Sequence, residues 1–139
     1  MAVRVRLGIT GARGRRVETI AVLNGGFEVP APHLLLPAAC AQVLFPKYRR
    51  MAVREEMSAA GGPVEFLALT CTVRARVRTP DRQGPWAEFR VLVSDADREA
   101  LISDGGIDAL GIEVKSFVPG RWRFKGERRS RPTAAPQWW

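Results

Sequence analysis

Strict alternation of apolar and charged side chains is the sequence feature that most limits what this chain can fold into. In residues 70–78 every second residue is small or apolar, and the residues between them are threonine or arginine. The same two-residue period recurs in residues 3–7, 86–93 and 120–125. Because successive side chains of a β-strand point to opposite faces, each segment predicts a strand with one buried and one exposed face.

Glycine and proline divide the chain into short strands. Residues 11–16, 58–63 and 79–85 are rich in these residues and predict the turns of hairpins. The sequence therefore predicts a mainly β domain over residues 1–125. Residues 126–139 form a basic, proline-containing segment that predicts a C-terminal tail outside this domain.

Two short helices are predicted among the strands. The good helix formers of residues 38–44 follow Pro37, which suits the first turn of a helix. A second helix is predicted over residues 104–110, with Asp104 as its N-cap and Gly111 as its C-terminal cap.

The segment 17–23 ends in a nearly continuous apolar run, which predicts a strand buried on both faces. Asn24, Gly25 and Gly26 follow at once and predict a tight turn, since glycine tolerates backbone conformations that other residues avoid. A buried strand that delivers three small residues into a turn is a candidate functional site.

The order of these motifs resembles that of the retropepsin-like aspartic proteases (clan AA). The resemblance covers residues 3–125 and includes the Leu-Leu-Leu-Pro run at 34–37 and the segment 101–114, Leu-Ile-Ser-Asp-Gly-Gly-Ile-Asp-Ala-Leu-Gly-Ile-Glu-Val. The Gly-x-Trp-x-Phe ending at 120–124 is similar to archaeal members of the family. The resemblance implies a closed β-barrel of the acid-protease half type, in which the hairpin around 58–63 takes the place of the flap.

The same resemblance argues against catalysis. Active members of the family bring together one aspartate from each of two subunits, and the paired carboxyl groups share a proton. Here Asn24 stands at that position, Gly25 replaces the usual threonine or serine, and Ser103 replaces a family glycine. A neutral amide neither takes nor gives that proton near neutral pH. The resemblance thus implies a domain without a catalytic residue.

Two routes to a site acid stay open at this point. Asn24 precedes a glycine and deamidation would convert it to aspartate, since asparagine is thermolabile. Alternatively, Asp104 or Glu28 supplies a carboxylate at the mouth of the site. Either route leads to the alternative function, a homodimeric aspartic peptidase with an acid pH optimum. A dimeric interaction module that cleaves nothing is a further alternative.

Charge points to a polyanionic partner. The chain has 22 Lys+Arg against 14 Asp+Glu, a net charge of +8, and such a balance favours nucleic acid. An arginine-rich surface without a specific partner gives the same composition. If the barrel is right, its exposed strand faces and loops and the tail supply the predicted RNA-binding residues. These are Arg4, Arg6, Arg13, Arg15, Arg16, Arg74, Arg76, Arg78, Arg121, Arg123, Lys125, Arg128, Arg129, Arg131, Trp138 and Trp139.

The two tryptophans that end the tail allow two interpretations. Trp138 and Trp139 are suited to stack on bases, as aromatic side chains do in RNA-binding proteins. They are equally suited to dock on the barrel of their own chain.

The sequence therefore predicts a catalytically inactive, aspartic-protease-like domain that binds RNA within a ribonucleoprotein. We expect ribosomal RNA or ribosomal proteins as partners, and a homodimer stays open. His33 is the only histidine, so we expect no Ser-His-Asp system with a second histidine, no metal and no cofactor.

Cys40 and Cys71 lie in apolar surroundings without metal-ligand spacing, so we expect reduced core residues and a cytoplasmic protein. The sequence has no stretch of 18 apolar residues and no apolar leader at its N-terminus. We therefore expect neither a membrane span nor a signal peptide.

Overall fold

The prediction of a mainly β chain with two short helices is confirmed by the computed structural model, which describes residues 2–29, 31–59 and 61–139. The strands in these residues are β1 (Arg4–Thr10), β2 (Arg16–Leu23), β3 (His33–Pro37), β4 (Ala52–Ala59), β5 (Gly62–Val77), β6 (Ala87–Ser94), β7 (Ala100–Ile102), β8 (Ile112–Phe117), β9 (Gly120–Phe124) and β10 (Arg131–Pro132). The α-helices are α1 (Ala38–Leu44) and α2 (Asp104–Ala109), and 3₁₀ turns occupy Ala12–Gly14 and Tyr48–Met51.

Six strands close into a barrel in the order β1-β2-β7-β3-β6-β5, and pairing of β1 with β5 completes the circle. Strand β3 is parallel to β6 and antiparallel to β7, while β2 is parallel to β7. Strand β4 lies outside the barrel and forms a long hairpin with β5. The hairpin therefore projects from the barrel and has one free edge among the described strands.

The barrel interior is built from the apolar faces that the alternation predicts. Val5, Leu7 and Ile9 of β1 are buried, and so are Val73 and Val77 of β5. Ala75 between them is buried as well, whereas Arg74 and Arg76 face outward. Burial of these apolar side chains is the main term that stabilises the barrel.

A second, smaller apolar cluster lies beneath the β4–β5 hairpin. Leu92 shares the face of β6 that carries exposed residues, yet it is buried against Leu35 and Ala68. Met57 and Phe66 of the hairpin pack against this cluster. Part of the outer surface of the barrel is thus covered by its own hairpin.

The C-terminal segment lies along the barrel and does not extend away from it. Strand β10 pairs with β9 in a small sheet with β8. Beyond it, the Thr133 amide donates to the Gly120 carbonyl oxygen at 3.0 Å, and the Ala134 amide donates to the Arg4 carbonyl oxygen at 3.0 Å. The tail is therefore bonded to both ends of the chain's own domain.

The caps of both helices differ from the prediction. Ser103, not Asp104, is the N-cap of α2, and its Oγ accepts from the Gly106 amide at 3.1 Å. Serine is among the preferred N-caps because its oxygen satisfies a free N–H of the first turn. Pro37 is the N-cap of α1 and does not lie in its first turn. Gly111 follows the C-cap of α2 with φ of +69°, which is the conformation that makes glycine suitable there.

None of the helices in the described part of the chain is long and apolar enough to cross a bilayer.

Candidate functional site

The turn predicted after β2 is present and is held by the backbone. The Asn24 amide donates to the Ile102 carbonyl oxygen of β7 at 3.0 Å, and the Phe27 amide donates to the Asn24 carbonyl oxygen at 3.0 Å. The Asn24 side-chain Oδ1 accepts from the Gly26 amide at 3.1 Å. The carboxamide oxygen is thus used to brace its own turn.

This turn opens into a cleft of about 220 Å³ beneath the β4–β5 hairpin. Phe27, Leu35, Met57, Phe66 and Leu101 give the cleft apolar walls. Its polar groups come from Asn24, Gly26, Glu28 and Ser58. The cleft is suited to apolar side chains, with one amide and one carboxylate at its edge.

Glu28 and Asp104, the two alternative sources of a site carboxylate, lie in different places relative to Asn24. Glu28 lines the same cleft as Asn24. Asp104 lines the adjoining cleft, and its Oδ1 accepts from the amides of Val29 at 3.2 Å and Gly105 at 2.7 Å. Aspartic-protease chemistry needs two carboxyl groups about 3 Å apart. Within the described residues of one chain, Glu28 is the one carboxylate that lines the Asn24 cleft.

Ser103 and His33 are buried next to the turn and are joined by hydrogen bonds. Ser103 Oγ is fully buried and accepts from the His33 amide at 2.9 Å as well as from the Gly106 amide. The His33 ring is buried, and its Nδ1 lies 2.8 Å from the Ala31 carbonyl oxygen. Because a carbonyl only accepts, Nδ1 carries the proton. Both side chains therefore have structural partners.

The cysteine thiols are unsuited to act as nucleophiles. Both are free, Cys40 in the core and Cys71 half-buried against it. Burial raises the pKa of the Cys40 thiol to about 12, and burial also raises the pKa of Cys71. Since the thiolate is the reactive form, neither group is activated near neutral pH. In the residues that the structure describes, no three His, Cys, Asp or Glu side chains are placed to hold a metal ion.

No protein-family model matches this chain, and no curated protein resembles it at a significant level. The assignment of a site therefore depends on the geometry of the chain itself.

Outward-facing arginines gather where β1 lies between β2 and β5. Thr10 of β1 stands opposite Arg16 of β2 and Arg74 of β5, and Gly8 stands opposite Glu18 and Arg76. Residues that are directly opposite in neighbouring strands share a face of the sheet. Together with the loop between β1 and β2, these strands form a surface that we call the arginine face. It consists of Arg6, Arg13, Arg15, Arg16, Arg74, Arg76 and Arg78.

Most of this face is not neutralised within the described part of the chain. Glu18 is shared by Arg6 and Arg78, at 3.8 Å from each guanidinium. Exposed pairs of this length contribute little. The other five arginines of the face, Arg13, Arg15, Arg16, Arg74 and Arg76, have no ion pair among the described residues.

Several other predicted RNA-binding residues are engaged in internal bonds. Arg4 binds Glu99 through two hydrogen bonds of 2.6 and 3.1 Å. Arg123 binds Glu113 at 2.7 Å, Lys125 binds Asp108 at 3.1 Å, and Arg121 binds Ser130. Arg128 and Arg129 are exposed, without an ion pair among the described residues.

Arg131 links the tail to the turn between β5 and β6. Its guanidinium binds Glu127 at 2.6 Å and also binds Asp81. The hydrogen bonds from Arg131 lower the pKa of both carboxyl groups to about 2. Arg131 is 18% exposed, so its charge serves this network inside the fold.

The two terminal tryptophans have different environments. Trp139 packs against the core, and its indole Nε1 donates to the buried Thr19 Oγ1 at 2.9 Å. Trp138 is 69% exposed. Of the two interpretations of the tail, the structure therefore places Trp139 on its own barrel and leaves Trp138 at the surface.

Trp86 is a candidate binding residue that the sequence analysis did not single out. Its ring is 39% exposed, and the guanidinium carbons of Arg74 and Arg76 lie 4.8 and 4.2 Å from the ring centroid. The available signal was the alternation of residues 86–93, which puts Trp86 on the same face as Glu88 and Arg90.

Proposed function

We propose that this protein binds RNA within a ribonucleoprotein, with ribosomal RNA as the favoured partner, and that it performs no aspartic-protease catalysis. The observation that carries the proposal is the arginine face, because Arg74 and Arg76 on β5 and Arg16 across β1 share one side of the sheet and have no ion pair among the described residues. A guanidinium donates two parallel hydrogen bonds to phosphate, which suits it to an RNA backbone.

We also propose that the barrel is of the retropepsin-like type and serves as a scaffold. Support comes from the turn after β2, the hairpin of β4 and β5 beside it, and helix α2 directly after β7. The same succession carries the sequence resemblance. Asn24 supports the absence of catalysis. Its carboxamide oxygen already accepts from the Gly26 amide, and the group has no acidic proton to share.

The proposal predicts RNA affinity that falls steeply with salt. Each phosphate contact with a single strand contributes about 0.7 to the slope of log affinity against log salt concentration. We expect the double variant Arg74→Ala/Arg76→Ala to bind a fluorescent single-stranded RNA on the order of tenfold more weakly and with a smaller salt slope. Fluorescence anisotropy over a salt series measures both quantities.

A matched control removes the same charge elsewhere. Arg50 and Lys115 are exposed and have no ion pair among the described residues. The Arg50→Ala/Lys115→Ala variant should keep affinity near that of the unmodified protein. Equal losses in the two double variants would show that binding depends on net charge and not on the arginine face.

The alternative function is a homodimeric aspartic peptidase, and the observation that favours it is Glu28 at the edge of the Asn24 cleft. It requires either a deamidated Asn24 or a carboxylate at that edge. Mass spectrometry of the peptide that contains Asn24, together with a peptidase assay at acid pH, tests it. An unshifted mass and no cleavage remove this alternative.

A further inference from the structure

We propose that a cleft on the arginine face, floored by Gly8, binds one nucleotide of single-stranded RNA. In this arrangement the phosphate lies between Arg16 and Arg76, and the base stacks on the indole ring of Trp86. This inference rests on the RNA-binding function proposed above and specifies where and how the strand is held.

The cleft has a volume of about 320 Å³ and lies on the outside of the barrel. Strand register creates it, because Gly8 stands between Glu18 of β2 and Arg76 of β5. Around Gly8 it is lined by Arg16, Glu18, Arg76, Arg78 and Trp86. A position without a side chain is thus surrounded by long side chains on both neighbouring strands.

The positive charges of the cleft have unused hydrogen-bonding capacity. Arg76 Nε is shielded from solvent and has no hydrogen-bond partner among the described residues. An unsatisfied buried donor is costly and uncommon in folded proteins. Arg16 has no ion pair in the described part of the chain, and Glu18 is the one acidic residue that lines the cleft. A phosphate in the cleft would supply an acceptor for the Arg16 guanidinium and a counter-charge for Arg76.

Trp86 adds the feature that favours a nucleotide over other anions. Its half-exposed ring already holds the guanidinium groups of Arg74 and Arg76 against it. Bases of single-stranded RNA stack on aromatic side chains and on guanidinium planes. A phosphorylated peptide or a lipid headgroup would use the arginines but not the stacking surface.

Gly8 allows the cleft to be closed without any change in charge. It has the extended backbone of β1, and a Cβ at this position would meet Arg78 Cδ at 3.0 Å, in the flexible part of that side chain. The variant Gly8→Val therefore fits the strand while it fills the floor of the cleft. Thr72→Val is the matched control, because Thr72 is an exposed residue of β5 that does not line the cleft.

The experiment measures binding of a fluorescent oligouridylate of about ten nucleotides, a length within the site size of ordinary single-strand-binding modules. We expect Gly8→Val and Trp86→Ala to weaken binding on the order of tenfold, because one stacked base is lost. Trp86→Phe should retain most of the affinity, since it keeps an aromatic face. Trp86→Ala should leave the salt slope unchanged because no charge is removed. Thr72→Val should bind as the unmodified protein does.

The outcomes separate this inference from the function on which it rests. If Gly8→Val and Trp86→Ala bind normally while Arg74→Ala/Arg76→Ala loses affinity, the cleft assignment is wrong and the RNA-binding function stands. Tighter binding of a duplex of the same length than of the single strand overturns the cleft assignment too. If the unmodified protein shows no salt-dependent affinity for RNA, the proposed function fails and the cleft assignment fails with it.

Discussion

A carboxamide occupies the position where the family resemblance leads one to expect a carboxylate. Asn24 Oδ1 accepts from the Gly26 amide, so the side chain acts as a structural brace of the turn. The difference in chemistry is specific: a pair of carboxyl groups can share one proton, whereas an amide and a carboxylate cannot do so near neutral pH. At the residue scale, the turn is braced by a carboxamide and has no acid at residue 24.

Ser103 shows how closely this turn is tied to the barrel. Its buried Oγ accepts from the amides of His33 and Gly106. We predict that Ser103→Ala lowers the free energy of unfolding by about 2–3 kcal/mol, because two buried N–H groups lose their acceptor. Urea unfolding measures the change. The control Ser58→Ala, at an exposed position of the hairpin, should stay within about 0.5 kcal/mol of the unmodified protein. Similar small effects for both variants would contradict this role of Ser103.

Arg131 gives the fold a dependence on acid pH. Its hydrogen bonds lower the pKa of Asp81 and Glu127 from ordinary values of 3.8 and 4.5 to about 2. A carboxyl group whose pKa is lower in the folded state stabilises the fold above its unfolded pKa, and this stabilisation is lost as pH falls towards the folded pKa. We therefore expect the thermal midpoint to decrease between about pH 4.5 and pH 2.

The variant Arg131→Met should flatten this dependence, since both carboxyl groups then titrate near their ordinary values. Arg128→Met is the control, because Arg128 is exposed and has no ion pair among the described residues. Equally steep pH profiles in the two variants would show that other groups cause the acid sensitivity.

The C-terminal segment behaves as an element of the fold. It is attached to β9 through strand β10 and the Thr133 amide, and to β1 through the Ala134 amide. The Trp139 side chain attaches it to the buried Thr19. Because these contacts join positions far apart in sequence, the tail closes the chain on itself. At the element scale, the RNA-binding part of the proposal therefore depends on the arginine face more than on the tail.

The adjacent tryptophans provide a direct test of this attachment. We predict that Trp139→Ala lowers the free energy of unfolding by about 2–3 kcal/mol, slightly less than for a fully buried aromatic residue. Trp138→Ala should change it by less than about 0.5 kcal/mol, because that side chain is exposed. Denaturant unfolding followed by circular dichroism measures both. Equal effects would mean that the tail does not dock as described.

Sequence alone predicted the elements whose side chains alternate regularly. The faces of β1, β5 and β9 follow from a period of two, which local backbone geometry imposes. Strand β3 is buried at every position and has no period to detect, and β10 is two residues long and exists through its pairing with β9. The N-cap of α2 was assigned one residue too late because serine and aspartate both cap helices well.

The candidate site was predictable to a similar extent. The turn at Asn24 was predicted from its glycines, and the individual arginines from their outward positions on strands. The Gly8 cleft and the role of Trp86 depend on the register between β1 and β5, which pairs residues distant in the chain. Only the folded arrangement reveals which arginines are paired with acids, as Arg131 is, and which have no ion pair among the described residues.

At the scale of the whole molecule, only part of the positive charge is paired with acidic side chains. The net charge of +8 comes from a chain in which many basic residues are already paired with acids. Five of the described arginines that have no ion pair lie together on the arginine face: Arg13, Arg15, Arg16, Arg74 and Arg76. A rigid surface with a concentrated positive charge attracts polyanions and holds them in a defined orientation.

The most direct test of the central claim is sedimentation of the native protein from an extract of its own cells on a density gradient. The account predicts migration with ribosomal particles, and release to the top of the gradient by ribonuclease or by high salt, because phosphate contacts are salt-sensitive. Migration of the untreated protein as a free chain of 15.4 kDa, or as a dimer of such chains, would contradict the account and direct attention to the peptidase alternative.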